Sequence, residues 1–294
     1  MADIRRLTRN DYDVFKRMDT GIEDDYVLRI FPRLVESDSE YLYGMFEDDA
    51  LLSICGISLY GKGRYAMLGR LRSDRRHQGK GCSTNLLSRV IEDFQINENI
   101  RWFGGHTQIN NKAARRVFSK LGFHGESVTH AVILKKPEHL KGHTPGPVWE
   151  EVTDPSHKRS LLMQYVSKVF PYECYYPLPY DEVFFTDAYM KASSFYINKA
   201  EDRFMIIRND VKGEAYAHVK YSWDDAFHQP GFYETVLEYW KKNSENDGCW
   251  FDFTEAGFQT IPNTTAFEFQ DPWILYGQWK RNHLDFLMKS TCKY

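Results

Sequence analysis

The stretch Leu71–Leu87, LRSDRRHQGKGCSTNLL, reads as the end of a strand, a glycine-containing turn and the start of an amphipathic helix. Gly79 and Gly81 allow the backbone to approach a ligand with no Cβ in the way. The helix behind them presents free N–H groups and the positive end of its dipole to an anion. The turn is therefore a phosphate cradle. Before it, Tyr41–Phe46, Leu51–Tyr60 and Tyr65–Ser73 read as strands separated by Glu47-Asp-Asp49 and Gly61-Lys-Gly63, both suited to hairpin turns, which gives an antiparallel meander. A short strand (Asp3–Leu7), a cap at Thr8 or Asn10 and helices over Tyr12–Met18 and Tyr26–Val35 precede the meander. After the cradle, Leu86, Leu87, Val90, Ile91 and Phe94 form one apolar helical stripe. A strand over Trp102–Thr107 follows, parallel to the Tyr65 strand because a helix intervenes. Asn111 caps the next helix, with Ala114, Val117, Phe118 and Leu121 inward and Gly122 ending it, and Val128–Leu134 supplies a closing strand.

Gln78-Gly79-Lys80-Gly81-Cys82-Ser83 resembles the Gln/Arg-x-x-Gly-x-Gly/Ala signature by which the GNAT family of acetyltransferases holds the pyrophosphate of acetyl-CoA. Ser83 departs from it. Thirty residues on, Asn111-Lys-Ala-Ala-Arg-Arg-Val-Phe-Ser-Lys-Leu-Gly-Phe123 is similar to a second pattern of the family, in the right order and at a normal distance. The two motifs cover about Met67–Leu134. The resemblance implies a mixed, mostly antiparallel sheet flanked by helices, with the two parallel strands splaying at their C-terminal ends to admit the pantetheine arm. It also implies acetyl-CoA as co-substrate. Backbone amides from Gln78 to Thr84 would hold the pyrophosphate, with the Ser83 and Thr84 hydroxyls as added donors and Lys80 as a nearby charge. Leu71, Arg72 and Ser73 would bond the pantetheine amides, and Asn111, Arg115 and Phe118 belong to the same binding set.

The chain has 294 residues, long for one compact unit and comfortable for two. Lys135–Pro147, KKPEHLKGHTPGP, lacks apolar periodicity and reads as a linker. The expected division is a GNAT domain over 1–136, a linker over 137–148 and an α+β lobe over 149–294. The fold class is α/β (α+β). The lobe's order of hairpin, helix and strands echoes the first domain, yet Ser222–Gly231 carries no Gln/Arg-x-x-Gly-x-Gly. A degenerate GNAT-like repeat and an unrelated α+β domain both fit. Within the lobe a helix is expected around Ser160–Val169, followed by the ring-rich segment Phe170–Tyr180. A formal charge of -3 with interspersed signs offers no polycationic face, which argues against nucleic acid and membrane as partners and for a small-molecule or peptide amine. Cys55, Cys82, Cys174, Cys249 and Cys292 are odd in number and scattered, so neither a disulfide framework nor a metal site is expected. With no signal-peptide core or membrane-length apolar run, a cytoplasmic protein is expected.

Acetyl transfer to an amine needs a polarised carbonyl, a deprotonated nucleophile and a proton for the leaving thiolate. The family often places a tyrosine where this chain has Phe118, and a glutamate on the strand where Tyr65–Ser73 has no carboxylate. The base must come from elsewhere. His106 at the end of its strand is one candidate and Glu23 in the charged turn Gly21–Asp25 another, against satisfied or solvated roles for both. Tyr60, Tyr65 and the Tyr172–Tyr180 cluster are unplaced proton donors. Arg70 and Arg72 alternate on one face of their strand, where an arginine fork would suit a carboxylate-bearing acceptor; an exposed or salt-bridged pair is the other reading. Tyr175 and Tyr176 are expected to help close the acceptor pocket. Cys82 at a helix start lacks a His or Asn constellation and is not expected to be catalytic. The layout also resembles that of the histidine N-acetyltransferase-like group, a hint about acceptor class. The expected activity is direct attack by a primary amine on acetyl-CoA. A non-catalytic acyl-CoA sensor and a longer-chain acyltransferase are the alternatives.

Overall fold

The computed structural model describes residues 2–280; Cys292 and the C-terminal part of the expected lobe lie outside the described residues. The described chain forms two compact units. One takes residues 2–107, Asn111–Glu126 and residues 276–280; the other takes Gln108–Asn110 and Ser127–Leu275. The division thus falls inside three strands, and Lys135–Pro147 lies within the second unit.

The first unit begins with β1 (Asp3–Arg6), a 3-10 turn capped by Thr8, α1 (Tyr12–Lys16) and α2 (Tyr26–Glu36). β2 (Glu40–Glu47), β3 (Ala50–Tyr60) and β4 (Tyr65–Ser73) form the antiparallel meander, with β1 on its edge. α3 (Cys82–Gln95) crosses to β5 (Trp102–Gln108), parallel to β4, and α4 (Lys112–Lys120) follows. Asn111 caps α4 by accepting from the Ala114 amide, and Gly122 ends it at φ 80°, a left-handed conformation suited to glycine. α1 and α2 bury Phe15, Val27, Phe31 and Leu34 against the sheet face carrying Leu42 and Ile54. α3 lies on the opposite face, where Phe94 meets the rings of Tyr41 and Tyr43.

β6 (His124–Leu134) starts earlier than the expected Val128 and leads into the second unit. There follow β7 (Glu150–Val152), α5 (Pro155–Leu162), β8 (Val169–Glu173), β9 (Tyr176–Pro179), α6 (Asp187–Lys191), β10 (Ser194–Ile197), β11 (Phe204–Lys212), β12 (Glu214–Lys220), α7 (Phe232–Lys242), β13 (Cys249–Phe253), α8 (Glu255–Gln259), β14 (Phe267–Phe269) and β15 (Trp273–Trp279). The helix expected over Ser160–Val169 is displaced toward the N-terminus. Asp154 caps it with Pro155 at its first position, and Val169 instead opens a strand. The sheet of this unit runs β6-β13-β12-β11-β10-β7, antiparallel except for β12 beside β13. Its core is ring-rich: Phe227, Phe232, Tyr233, Phe251, Phe253 and Phe267 pack together. The chain is thus a mixed α/β fold with a largely antiparallel sheet flanked by helices, and a second α+β region.

Candidate functional site

The turn between β4 and α3 is set by two left-handed glycines. Gly79 and Gly81 both have φ 83°, and a Cβ built on either would meet nothing within 4 Å. Backbone conformation, not crowding, requires glycine here, and the space above the turn is open. The first-turn amides of α3 have no intrahelical acceptor. Asp74 anchors the loop: its amide bonds the Leu52 carbonyl, and its buried carboxylate accepts from the amide and the guanidinium of Arg76. That pairing holds the Asp74 carboxyl well below the usual carboxylate range. The arrangement was not foreseen, although an Asp directly after a strand is a turn-capping signal. Gln78 and Lys80 are exposed, and Cys82 is buried. Ser83 differs from its expected role. Its hydroxyl lies 3.0 Å from that of Ser53 and also bonds Ser73, so it ties the start of α3 to β3 and β4.

β4 and β5 pair from Tyr65–Trp102 to Leu68–Gly105 and no further, although β4 continues to Ser73 and β5 to Gln108. Where pairing stops, β4 carries a bulge: the register to β3 shifts beyond Gly56, and Arg70 takes φ 53°. The bulge leaves both arginines on the α2 face, but neither is free for an acceptor. Arg70 donates to Ser58 at 2.8 Å and to Glu40 at 2.5 Å, while Arg72 donates to both oxygens of Asp25, at 2.7 and 2.8 Å. Asp25 is accordingly not a solvated loop group. It is buried, caps α2 through the Val27 amide, and has its carboxyl lowered because that amide and Arg72 outweigh the upward push of burial. Glu23 is exposed.

On the other face, the Phe118 ring lies over β5: a Cβ on Gly105 would stand 2.0 Å from its tip. Stacked on Phe118 at 5.3 Å between centroids is Tyr276, a residue the sequence reading missed. Arg115 donates from Nε to the Tyr276 hydroxyl at 3.3 Å. Nothing local in the sequence marks Tyr276, because it arrives on a strand far downstream. Asn111 donates to Thr107 as well as capping α4. His106 is half-buried, one residue past the last β4–β5 pair. Strand alternation puts it opposite Phe118, on the face that carries Asp25 and Arg72.

The remaining tyrosine candidates divide between the units. Tyr65 is core, packed against Trp102 and Trp279. Tyr175 and Tyr176 belong to the second unit, the first against Trp250 and Trp273, the second under the ammonium of Lys212. Also in that unit, Cys174, Asp210 and His218 bring donor atoms within 4.8 Å of one another, a spacing that could hold a metal ion. The cluster already has a cation, since Lys220 Nζ lies 3.2 Å from His218 Nδ1.

Residues 2–123 match the family model described as the acetyltransferase (GNAT) family. No curated protein matches the sequence. Among solved structures, a GCN5-related N-acetyltransferase from Sphaerobacter thermophilus is similar at a TM-score of 0.58 and 10% identity, covering 96% of each chain. A protein from Thermoplasma acidophilum proposed to be an acetyltransferase gives 0.58 at 15% identity over 94% of this chain and 99% of its own. One from Pyrococcus horikoshii, likewise proposed, gives 0.56 at 11% identity over 95% and 90%. At these identities the likeness establishes fold alone. Residues 2–123, which carry the glycine cradle, the β4 bulge and the parting of β4 from β5, are thus the part of the chain that matches the GNAT family of acetyltransferases and has its fold.

Proposed function

We propose that the chain binds acetyl-CoA at the β4–α3 turn and transfers its acetyl group to a primary amine by direct attack in a ternary complex. The observation that carries this reading is the cradle of Gly79 and Gly81, left-handed and open, beside the point where β4 and β5 part. Acetyl-CoA supplies an activated thioester; the chain supplies position and protons. The amides of Gly79 to Thr84 hold the pyrophosphate, and the unpaired edge of Leu71–Ser73 meets the pantetheine. His106 accepts the amine's proton on the α2 face, directly or through water. The Tyr276 hydroxyl, receiving a bond from Arg115, keeps its own proton to give to the thiolate, in place of a tyrosine at Phe118. Since Arg70 and Arg72 are engaged by Glu40 and Asp25, neither is available to a carboxylate on the acceptor, which favours an amine without a carboxylate over a free amino acid.

The test is thiol release from acetyl-CoA against pooled amines, amino acids, polyamines and peptide N-termini. Gly81→Glu, which puts bulk and negative charge in the cradle, serves as control. Amine-dependent release abolished by Gly81→Glu is the expected result. His106→Gln and Tyr276→Phe should each lower kcat by about 10²-fold or more with acetyl-CoA affinity kept. Tight acetyl-CoA binding without turnover of any amine would instead identify a sensor.

A further inference from the structure

The second unit repeats a local order seen in the first. β11 and β12 form an antiparallel hairpin, α7 starts at Gly231 in a left-handed conformation (φ 79°), and β13 returns parallel to β12. In the first unit β3, β4, Gly81, α3 and β5 stand in the same relation. Pairing of β12 with β13 runs from Ala217–Cys249 to Val219–Phe251, and beyond it the two strand ends diverge around a cavity of about 280 Å³. The space outside the C-terminal ends of parallel strands is where α/β sheets commonly take ligands.

This cavity takes no phosphate. The start of α7 is plugged by the unit's own chain: the Gly231 amide donates to the Thr144 carbonyl at 3.3 Å, the Trp149 indole donates to the Pro230 carbonyl at 2.8 Å, and a Cβ on Gly231 would stand 1.9 Å from the Pro147 oxygen. The cavity lining instead offers rings and carboxylates. Tyr165, Tyr221 and Trp223 provide apolar walls, and Asp224, Asp252 and Glu173 outnumber Lys168. Asp252 is aimed by two donors, His218 Nε2 at 2.6 Å and Trp250 Nε1 at 3.2 Å. The Ser222 hydroxyl, also in the lining, is buried with no hydrogen-bond partner among the described residues. A buried hydroxyl left unsatisfied costs stability unless a ligand or water completes it.

We propose that this cavity is a binding site for a small, non-phosphorylated organic amine, its ammonium held by Asp252 and Ser222 and its body against the Tyr165, Tyr221 and Trp223 rings. The site does not rest on the transfer reading, because binding is read without acetyl-CoA.

The experiment is calorimetric titration of the full chain, without acetyl-CoA, using propylamine, phenethylamine and tyramine against 1-propanol, 2-phenylethanol and 4-ethylphenol as uncharged controls. The site predicts that amines bind at least tenfold more tightly than their controls. Ser222→Ala and Asp252→Asn should each weaken the amines at least tenfold, while Gly81→Glu leaves them unchanged. Equal affinity for amines and controls, no binding at millimolar amine, or binding that survives both variants in folded protein would overturn the proposal. Should Asp252→Asn lose its fold through His218, Ser222→Ala decides alone, with circular dichroism confirming that it is folded.

Discussion

At Gly81 the φ of 83° is a conformation that side chains other than glycine adopt only at a cost, and the space around it is empty. Gly81→Ala should therefore lose about 1–2 kcal/mol through the backbone alone. Thermal unfolding would register this as a fall of a few degrees, and a methyl over the cradle should weaken acetyl-CoA as well. The Asp25–Arg72 pair makes a sharper case. With side-chain exposures of 1% and 12% and two short bonds, removing one partner strands the other charge. Asp25→Ala is expected to cost about 3–5 kcal/mol in urea unfolding. The double variant Asp25→Ala/Arg72→Met should recover part of that loss, since no buried charge then remains unpaired.

Among the elements, the junction of β3, β4 and α3 is joined by the hydroxyls of Ser53, Ser73 and Ser83. Because Ser83 faces the sheet, Ser83→Ala should cost only about 1 kcal/mol of stability and leave acetyl-CoA affinity within about twofold. A tenfold loss of affinity in that variant would mean that the hydroxyl serves the phosphates after all. The β4 bulge operates at the same scale. One extra residue at Arg70 keeps Arg70 and Arg72 on the α2 face and ends the ladder to β5 at the point where the proposed pantetheine edge, Leu71–Ser73, begins.

Across the whole molecule, pH sensitivity follows from groups in both units. Asp11, lowered to about 2 by its bond with Arg5, and Asp25 and Asp74, also lowered, have folded values below the unfolded value of about 3.9. Their stabilisation is complete above pH ~4 and is lost as pH falls through the folded values. Urea midpoints measured from pH 5 down to 2 should drop, less steeply in Asp11→Asn. Lys220 behaves in the opposite way: burial lowers it to about 8, beneath the ordinary lysine value of about 10.4. The unfolded chain then holds more protons between those limits, so this group adds stability as pH rises from about 8 to about 10.4. Lys220→Met should remove that rise from the alkaline arm of the same urea series. Across the described residues, no helix is long and apolar enough to cross a membrane.

Local sequence determined the strand meander, the glycine cradle, the caps at Asn111 and Gly122 and the family of the first 123 residues. Each of these depends on interactions within a few residues, or on a periodicity that one element displays by itself. Tertiary structure decided the rest. A salt-bridged role for Arg70 and Arg72 was open from the sequence, but a bulge changes which way a side chain points without changing the alternation of residue types, so Glu40 and Asp25 as the partners were not legible. Ser83 reads as a phosphate ligand until β3 and β4 are seen to offer Ser53 and Ser73. Tyr276 reaches Phe118 only because a distant strand returns to the first unit, and the cavity at Asp252 exists only where two parallel strands part. Contacts of that kind are made by chain closure over long separations, and composition and spacing carry no record of them.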